Sequence, residues 1–407
     1  MLNQISGGVC AAKGFTAAGV HCGVKAGSSP DKNDLALILS EKECAAAATY
    51  TMNRVKAAPL YVTMDHLENG VAWGVVANSG NANACCPQSH ENAEAMSASA
   101  AAATGREPGD FVVASTGVIG QTINISAIQA GRPQAAAALA ASGSDAAAHA
   151  IMTTDTVKKE IAVSLTIGGK EVRLGAIAKG SGMIHPNMGT MLAFITTDCA
   201  ITHEMLSDAL HEVVARTFNR VTVDGDTSTN DMCVVLANGM AGNSLIEWKD
   251  QDYETFLAAL EEVCRHLSRA IAGDGEGASK LVTCKMHGAR SEESAERLAK
   301  AVVGSSLVKA AMFGADANWG RVLCAMGYSK APFRPEHVDV SFCSQAGSIL
   351  VCKQGDGVDF DEDKAKTILT EKEVIIDVDL HEGDESAECW GCDLTYDYVK
   401  INGDYRT

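Results

Sequence analysis

Polar and apolar positions along the chain follow two different periods. Apolar residues alternate with polar or small ones in several short runs, which is the pattern of half-buried strands. Two of these runs, IAVSLTI and EVRLGAIA, are joined by Gly-Gly-Lys, a sequence that predicts a β-hairpin. Two longer segments have apolar residues at helical spacing. We expect amphipathic helices around Leu206, Leu210, Val213, Val214 and Phe218, and around Phe256, Leu260, Val263, Leu267 and Ile271.

Further strands and helices are expected on either side of these elements. Two alanine-rich stretches, 87–106 and 135–141, have the composition of helices. The sequences expected to form strands are ALILS, GVAWGVVANSG, VTVDG, MCVVLA, SKLVTC, VDVSF, SILVCK and VIIDVDL. Strands and helices alternate without regular βαβ units. The pattern therefore predicts a mixed α/β sandwich in which much of the strand pairing is antiparallel.

Composition and charge narrow the class of protein. The chain has 407 residues, of which 46% are hydrophobic and 21% charged, as in globular proteins. It lacks an apolar run of about 18 residues, and its beginning lacks a basic segment followed by an apolar core. We therefore expect no membrane span, no secretory signal and a cytoplasmic location. The net charge of −18 argues against nucleic acid or an anionic membrane as a partner.

Neither the cysteines nor the acidic loops predict a metal site. Most of the 14 cysteines have apolar neighbours, as buried thiols do. Cys389 and Cys392 form a CxxC motif, but a structural zinc site needs a second ligand pair, which the sequence lacks. Asp224, Asp226 and Asp231 in DGDTSTND suggest a calcium loop, but the EF-hand spacing with its final Glu is absent. We interpret this loop, and ADANWGR, as structural segments near a site.

The segment SGMIHPNMGTMLAFITTD, residues 181–198, contains a candidate nucleophile. A threonine hydroxyl is a weak nucleophile until a base takes its proton, and an N-terminal threonine can use its own α-amine as that base. Thr190 would gain such an amine if its hydroxyl attacked the unshielded carbonyl of Gly189 and the bond between them broke. Pro186 and Asn187 favour a turn that would present this bond. The alternative is an ordinary threonine at the start of a strand.

The sequence around Thr190 also resembles a known motif. KGSGMIHPNMGTMLAFITTD is similar to the self-cleavage motif of the glutamate N-acetyltransferase/ornithine acetyltransferase family of arginine biosynthesis. The residue before the nucleophile is usually Ala in that family and here is Gly189, which is also small. Other segments resemble blocks of the same family, in the same order and from end to end of the chain: ASTGVIG, MTTDT, FNRVTVDGDTSTND, GDGEGASKLV, FGADANWGR and YDYVKINGDYRT.

The resemblance implies roles for individual residues. Thr190 matches the catalytic nucleophile, and Thr116 and Gly117 in STGVIG match an oxyanion hole. A hydroxyl and a backbone N–H in a Gly-containing turn can donate to a developing alkoxide, although a plain strand-to-turn exit would have the same sequence. The residues that match substrate contacts are Thr153, Lys179, Thr190, Glu276, Asn402 and Thr407.

Charge suggests which parts of the substrate two of these residues meet. Lys179 can pair with a carboxylate, unless it is only a solvated hairpin end, and Glu276 can pair with the ornithine ammonium. The GDGEG sequence around Glu276 could be mistaken for a phosphate loop, but its acidic residue would repel phosphate. The choice of Thr153 over Thr154 or Thr156 in MTTDT stays open.

The family resemblance implies an acetyltransferase that takes the acetyl group from N2-acetylornithine on Thr190 and passes it to glutamate, without a cofactor or metal. It implies two chains, 1–189 and 190–407, that stay associated and pair into a heterotetramer. The expected fold is α/β, with mixed, largely antiparallel sheets in an αββα-type sandwich. The motifs do not decide whether acetyl-CoA is a second acetyl donor.

Two other functions remain open. A self-processing N-terminal-threonine amidohydrolase or aminopeptidase would pass the acyl group to water, although the predicted substrate contacts argue against it. An acidic assembly or interaction protein would use the Thr190 segment only as a core strand. Self-cleavage and glutamate-dependent release of ornithine would distinguish these functions.

Overall fold

The computed structural model describes residues 2–185 and 191–404. The strands in these ranges are β1 (Asn3–Ile5), β2 (Phe15–Val20), β3 (Leu35–Tyr50), β4 (Val71–Asn78), β5 (Phe111–Ser115), β6 (Lys159–Ile167), β7 (Lys170–Lys179), β8 (Leu192–Thr197), β9 (Met232–Ala237), β10 (Leu281–Ala289), β11 (Asp339–Ser344), β12 (Gly347–Lys353), β13 (Asp356–Gly357), β14 (Glu373–Asp379) and β15 (Glu385–Cys392). The helices are α1 (Ala58–His66), α2 (Ser89–Thr104), α3 (Ile125–Ala137), α4 (Ser144–Ala150), α5 (His203–Arg216), α6 (Gln251–Gly273), α7 (Glu292–Gly304), α8 (Ser306–Phe313), α9 (Trp319–Gly327), α10 (Glu362–Leu369) and α11 (Tyr396–Asp404).

A nine-stranded sheet forms the larger part of the fold. Its strand order is β1-β6-β7-β8-β9-β3-β4-β5, and β2 also pairs with β3. The β4–β5 and β8–β9 pairs are parallel, and the other pairs of this sheet within the described residues are antiparallel. The sheet is therefore mixed and largely antiparallel, as predicted.

The long strand β3 joins two parts of this sheet. Its first half pairs with β2, and its second half pairs with β9. Helices α5 and α6 cover one face of β6 to β9, whereas α1, α2 and α3 cover one face of β2 to β5. A third cluster contains residues from both parts, including Phe194 of β8 and Val112 of β5. Both faces of the central strands are thus buried, which agrees with the predicted α/β class.

A second sheet of six strands follows in the order β13-β12-β11-β14-β10-β15. Helices α7 to α10 pack against it and share one apolar cluster with it. Leu281 of β10 and Trp390 of β15 belong instead to the cluster beneath α6. These two side chains connect the core of the second sheet to that of the first.

The predicted hairpin is formed by β6 and β7. Ile167 pairs with Lys170, so that Gly168 and Gly169 alone form the turn. Their φ angles are +54° and +75°. A two-residue turn with both φ angles positive matches the twist of the flanking strands and favours glycine at both positions. Lys179 is the last residue of the second strand of this hairpin.

The predicted helices correspond to α2, α5 and α6. A side chain caps the beginning of α5 and of α6: Thr202 accepts the Met205 N–H, and Asp250 accepts the N–H groups of Asp252 and Tyr253. The apolar positions predicted for both helices are buried, although Phe218 lies in a short 3-10 turn after α5. No helix among the described residues is long and apolar enough to cross a membrane.

Two local predictions are wrong. The helix expected at 135–141 ends at Ala137, and Ala140 instead forms an isolated bridge with Ala17. The sequence VTVDG is not a strand, because only Val221 forms a bridge, to Trp390. In both cases a partner distant in sequence decides the conformation over local propensity.

The two cysteines of the CxxC motif are buried in β15 and belong to different apolar clusters. Cys389 packs beneath the helices of the second sheet, and Cys392 packs toward α6, as expected for strand residues three apart. Burial raises the pKa of the Cys389 thiol to about 12, so it stays protonated at neutral pH. Their surroundings agree with the interpretation as buried thiols.

Candidate active site

A cleft of about 280 Å³ lies where β7 ends and β8 and β9 begin. Strand register sets its position, because Lys179 at the end of β7 pairs with Leu192, and Leu192 pairs with Met232 at the start of β9. The cleft is lined by Thr116, Gly117, Ile119, Thr153, Thr154, Lys179, Gly182, Met183, Ile184, Met191, Leu192, Ser228, Thr229, Asn230, Asp231, Glu276 and Asn402.

The fold brings six of the predicted site residues together at this cleft. They come from segments far apart in the sequence: Thr116, Gly117, Thr153, Lys179, Glu276 and Asn402. The other predicted site residues, Gly189, Thr190 and Thr407, lie outside the described residues. Thr190 is covalently joined to Met191, which lines the cleft and whose carbonyl accepts the Met232 N–H at 2.9 Å.

Thr116 and Gly117 follow β5 directly and offer two hydrogen-bond donors. The Thr116 N–H donates to the Asn78 carbonyl at 2.9 Å. Within the described ranges, the Thr116 hydroxyl and the Gly117 N–H have no hydrogen-bond partner. Gly117 has a φ of +130°, and a Cβ there would lie 2.9 Å from the Asn81 nitrogen. The turn that presents these two donors therefore requires glycine at 117.

Lys179 ends β7 with a side chain that is only 9% exposed. Its Nζ lies 3.8 Å from the fully buried carboxylate of Asp155. Burial lowers the pKa of the Lys179 ammonium, and the negative charges of Asp155, Asp231 and Glu276 oppose that shift. The alternative of a solvated hairpin end is therefore wrong.

Glu276 and Asn402 are in direct contact at the cleft. The Asn402 side-chain amide donates to Glu276 Oε2 at 2.8 Å, and the Glu276 N–H donates to the Ser181 carbonyl at 3.1 Å. A Cβ at Gly182 would lie 2.3 to 2.4 Å from the Glu276 carboxyl group. Glycine at 182 thus leaves the space that Glu276 occupies.

Of the three threonines in MTTDT that could contact substrate, two lie at the cleft. Thr153 and Thr154 both line the cleft. The Thr156 hydroxyl instead donates to the carboxylate of Asp274. The Thr153 N–H donates to Asp155 Oδ2 at 3.1 Å, which fixes the backbone of this segment. Thr156 is therefore held away from the cleft, and Thr153 and Thr154 remain.

Comparison with known proteins decides the family. The model of the ArgJ family matches residues 16–407. The chain belongs to the ArgJ family. It is 52% identical over 407 residues to the arginine biosynthesis bifunctional protein ArgJ of Symbiobacterium thermophilum, with 100% of both chains covered. It is 50% identical over 394 residues to ArgJ 1 of Clostridium acetobutylicum, with 97% of this chain and 96% of that one covered.

One solved ArgJ structure is also similar. The crystal structure of the arginine biosynthesis bifunctional protein ArgJ from Bacillus halodurans has 47% sequence identity and a TM-score of 0.51, and it covers 53% of this chain and 100% of its own. The family resemblance predicted from the motifs is confirmed. The chain is thus an enzyme, an acyltransferase of the ArgJ family, which belongs to arginine biosynthesis.

Asn230 is a residue of this ArgJ cleft that the sequence reasoning missed. Its amide nitrogen donates to the Ala82 carbonyl at 2.7 Å and to the Ser115 carbonyl at 2.8 Å. Its side chain thereby ties the start of β9 to the end of β5, directly before Thr116. The motif FNRVTVDGDTSTND includes Asn230, but its role depends on carbonyls more than 100 residues away, which the sequence does not show.

Asp155, Lys159 and Asp274 were also missed. Lys159 Nζ donates to Asp155 Oδ1 at 2.7 Å and to Asp274 Oδ2 at 2.6 Å. Burial alone would raise the pKa of Asp155, but the charges of Lys179 and Lys159 lower it to about 2. Asp155 and Asp274 lie in the quoted motifs MTTDT and GDGEG, so the signal was present. Their partner Lys159 lies outside the motifs and predicted strands quoted from the sequence.

Two aspartates of DGDTSTND, Asp224 and Asp231, lie at the cleft or contact residues that line it. Asp224 accepts the N–H groups of Met183 and Ile184 at 2.7 and 2.9 Å. Asp231 lines the cleft, is 2% exposed, and its Oδ2 has no hydrogen-bond partner among residues 2–185 and 191–404. Burial raises the pKa of Asp231 well above its usual value. Across the described ranges, no group of three His, Cys, Asp or Glu side chains could hold a metal ion.

Replacing Asn230 with Ala should destabilise the fold and reduce activity. The change leaves two carbonyls without their donor, and each unsatisfied buried group costs about 1–3 kcal/mol. Denaturant unfolding should show the lower stability, and an acetyl-transfer assay the lower activity. The control is Asn69→Ala, which removes one hydrogen bond from an exposed loop. Equal stability of the two variants would contradict the role of Asn230.

Proposed function

We propose that this ArgJ protein transfers the acetyl group of N2-acetylornithine to glutamate through an acetylated Thr190. The observation that supports this most is the convergence at one cleft of two hydrogen-bond donors without a partner among the described residues, a buried cation and a carboxylate, contributed by Thr116, Gly117, Lys179 and Glu276. The cleft is also lined by Met191, the residue that follows Thr190 in the chain.

In the first half-reaction, the Thr190 hydroxyl attacks the acetyl carbonyl of N2-acetylornithine. The Thr190 α-amine takes the hydroxyl proton and then gives a proton to the departing α-nitrogen of ornithine. The Thr116 hydroxyl and the Gly117 N–H, which are unpartnered within the described residues, are the donors available to the oxyanion. Ornithine leaves, and the acetyl group remains as an ester on Thr190.

In the second half-reaction, the α-amine of glutamate attacks the ester carbonyl. The same two donors stabilise the second oxyanion, and the Thr190 α-amine takes a proton from the attacking amine and gives a proton to the departing Thr190 oxygen. The products are N-acetylglutamate and free Thr190. Because the threonine hydroxyl stores the acetyl group between the two steps, the balance of the reaction requires no cofactor.

Charge in the cleft fits the two ends of acetylornithine. The buried Lys179 ammonium can bind the α-carboxylate, which acetylornithine and glutamate share. Glu276, held by Asn402, can bind the side-chain ammonium of ornithine. Thr153 or Thr154 and the C-terminal Thr407 are the remaining proposed contacts. Glutamate has no such ammonium, so Glu276 should favour the ornithine half of the cycle.

The proposed nucleophile requires cleavage between Gly189 and Thr190, into chains 1–189 and 190–407. One comparison supports this division. The solved Bacillus halodurans chain is covered completely by 53% of this chain, and residues 190–407 likewise make up slightly more than half of it. We propose that the two chains stay together as an αββα sandwich, with α5 and α6 outside one sheet part and α2 and α3 outside the other, and pair into a heterotetramer.

Self-cleavage should yield two fragments on a denaturing gel, because Thr190 can attack the carbonyl of Gly189. N-terminal sequencing of the second fragment should begin Thr-Met-Leu-Ala. Thr190→Ala should remain one chain, whereas Thr190→Ser keeps a hydroxyl and should still be cut. A second fragment that begins at another residue would overturn the assignment.

Thr116→Val should lower kcat by roughly 10²-fold, because its hydroxyl meets charge that exists only in the transition state. The steady-state constants with acetylornithine and glutamate are the measurement. Thr104→Val is a control, since the Thr104 hydroxyl bonds within helix α2. A higher KM with an unchanged kcat would show that Thr116 binds substrate rather than the oxyanion.

Release of ornithine from acetylornithine should depend on added glutamate, with N-acetylglutamate formed in equal amount. Ornithine and free acetate formed at the same rate without glutamate would favour the amidohydrolase alternative. An uncut chain with no turnover would favour the assembly-protein alternative. Adding acetyl-CoA and glutamate without acetylornithine tests the second donor in the same assay.

A further inference from the structure

Four buried charges form an alternating row behind the cleft. Lys179 Nζ is 3.8 Å from Asp155, Asp155 accepts Lys159 Nζ at 2.7 Å, and Lys159 Nζ also donates to Asp274 at 2.6 Å. Their side chains are 9%, 0%, 0% and 7% exposed, respectively. Two positive and two negative charges cancel, which is a condition for burying so many charges together.

Asp155 also holds the backbone on two sides of the cleft. Its Oδ2 accepts the N–H of Thr153 at 3.1 Å, and its Oδ1 accepts the N–H of Gly180 at 2.7 Å. Thr153 belongs to the segment before β6, and Gly180 follows Lys179 directly. One carboxylate thus connects the Thr153 segment, the end of β7 and the ammonium of Lys179.

We propose that Asp155 is a positioning residue that holds the Lys179 ammonium charged and directed at the cleft, so that it binds the carboxylate of an amino-acid substrate. The bound carboxylate becomes the fifth charge of the row and continues its alternation of sign. This inference rests on the proposed role of Lys179 in substrate binding.

The charged groups around Lys179 determine in which direction the loss of Asp155 changes the pKa of Lys179. Burial and the charge of Lys159 lower the pKa of the Lys179 ammonium, whereas Asp155, Asp231 and Glu276 raise it. Removing the charge of Asp155 takes away the first of these opposing carboxylates, so the pKa of Lys179 falls further. Lys179 then loses its proton at a lower pH, and a neutral amine binds a carboxylate poorly.

Asp155→Asn is the variant that tests this role. The KM values for acetylornithine and for glutamate should both begin to rise at a lower pH than in the wild type, and then by about tenfold for each further pH unit, because the charged fraction of Lys179 falls by that factor above its pKa. The difference from the wild type should shrink as the pH is lowered, because Lys179 regains its proton. At saturating substrate, kcat should stay within about threefold. Asp145→Asn, which removes an exposed carboxylate paired with Lys158, should change neither constant.

Folding is checked by circular dichroism and thermal melting. If Asp155→Asn does not fold, Asp155→Asn/Lys159→Gln removes one charge of each sign and leaves Lys179 without its partner. Its KM should depend on pH in the same direction but rise less than in Asp155→Asn, because the lost charge of Lys159 no longer lowers the pKa of Lys179. A wild-type KM in the folded variant, or a loss of kcat that is equal at every pH, would overturn the role of Asp155.

Results that contradict the proposed function differ from results that contradict only the role of Asp155. Wild-type protein that does not transfer acetyl groups, or Lys179→Met with unchanged KM values, would contradict the substrate role of Lys179 itself. Normal transfer in the wild type and raised KM values in Lys179→Met, together with a normal Asp155→Asn, would overturn only the positioning role of Asp155.

Discussion

The pairing of β8 between β7 and β9 is the constraint on which the cleft depends. Backbone hydrogen bonds set Leu192 opposite Lys179 on one side and opposite Met232 on the other. A shift of one residue in either pair would turn the side chains of a strand to the opposite face. Because both faces of β8 are packed in apolar clusters, such a shift would place its side chains in spaces shaped for residues of other sizes. Close packing of the sheet therefore fixes where the cleft residues meet.

Polar side chains at the cleft hold the neighbouring loop segments in place relative to the sheet. Asn230 ties β9 to the segment that contains Thr116, and Asp155 ties the Thr153 segment to the end of β7. Each of these groups is buried and would be costly if left unpaired. The same hydrogen bonds therefore specify one arrangement of the loops and position the groups that would meet substrate.

The sequence predicted the parts of this fold that depend on local pattern. The hairpin of β6 and β7 follows from alternating residues around two glycines, and α5 and α6 follow from apolar residues at helical spacing. The segment VTVDG has the composition of a strand, but a strand needs a partner strand along its length, and within the described part of the chain only Val221 of this segment forms a β-bridge. Ala140 likewise leaves the expected helix to bridge Ala17. Local composition does not contain such distant partners.

The site residues also divide into those that local motifs predicted and those that depend on contacts with residues distant in sequence. Thr116, Gly117, Thr153, Lys179, Glu276 and Asn402 were found through motif resemblance, and the fold places them at one cleft. Asp155, Lys159 and Asp274 were missed because their importance lies in burial and mutual distance. Lys159 is a lysine in an alternating strand sequence, which ordinarily indicates a solvated side chain. Only the packed structure shows that it is fully buried between two carboxylates.

The central place of β8 has a consequence for how the molecule is assembled. A cut before Thr190 would make β8 the first strand of the second polypeptide, yet this strand lies in the interior of the sheet with a neighbour on each side. Two halves expressed separately would each expose the unpaired edges of strands that belong side by side. We therefore expect separately made halves to complement each other only when they fold together, whereas one continuous chain holds β7 and β8 close in sequence while the sheet forms.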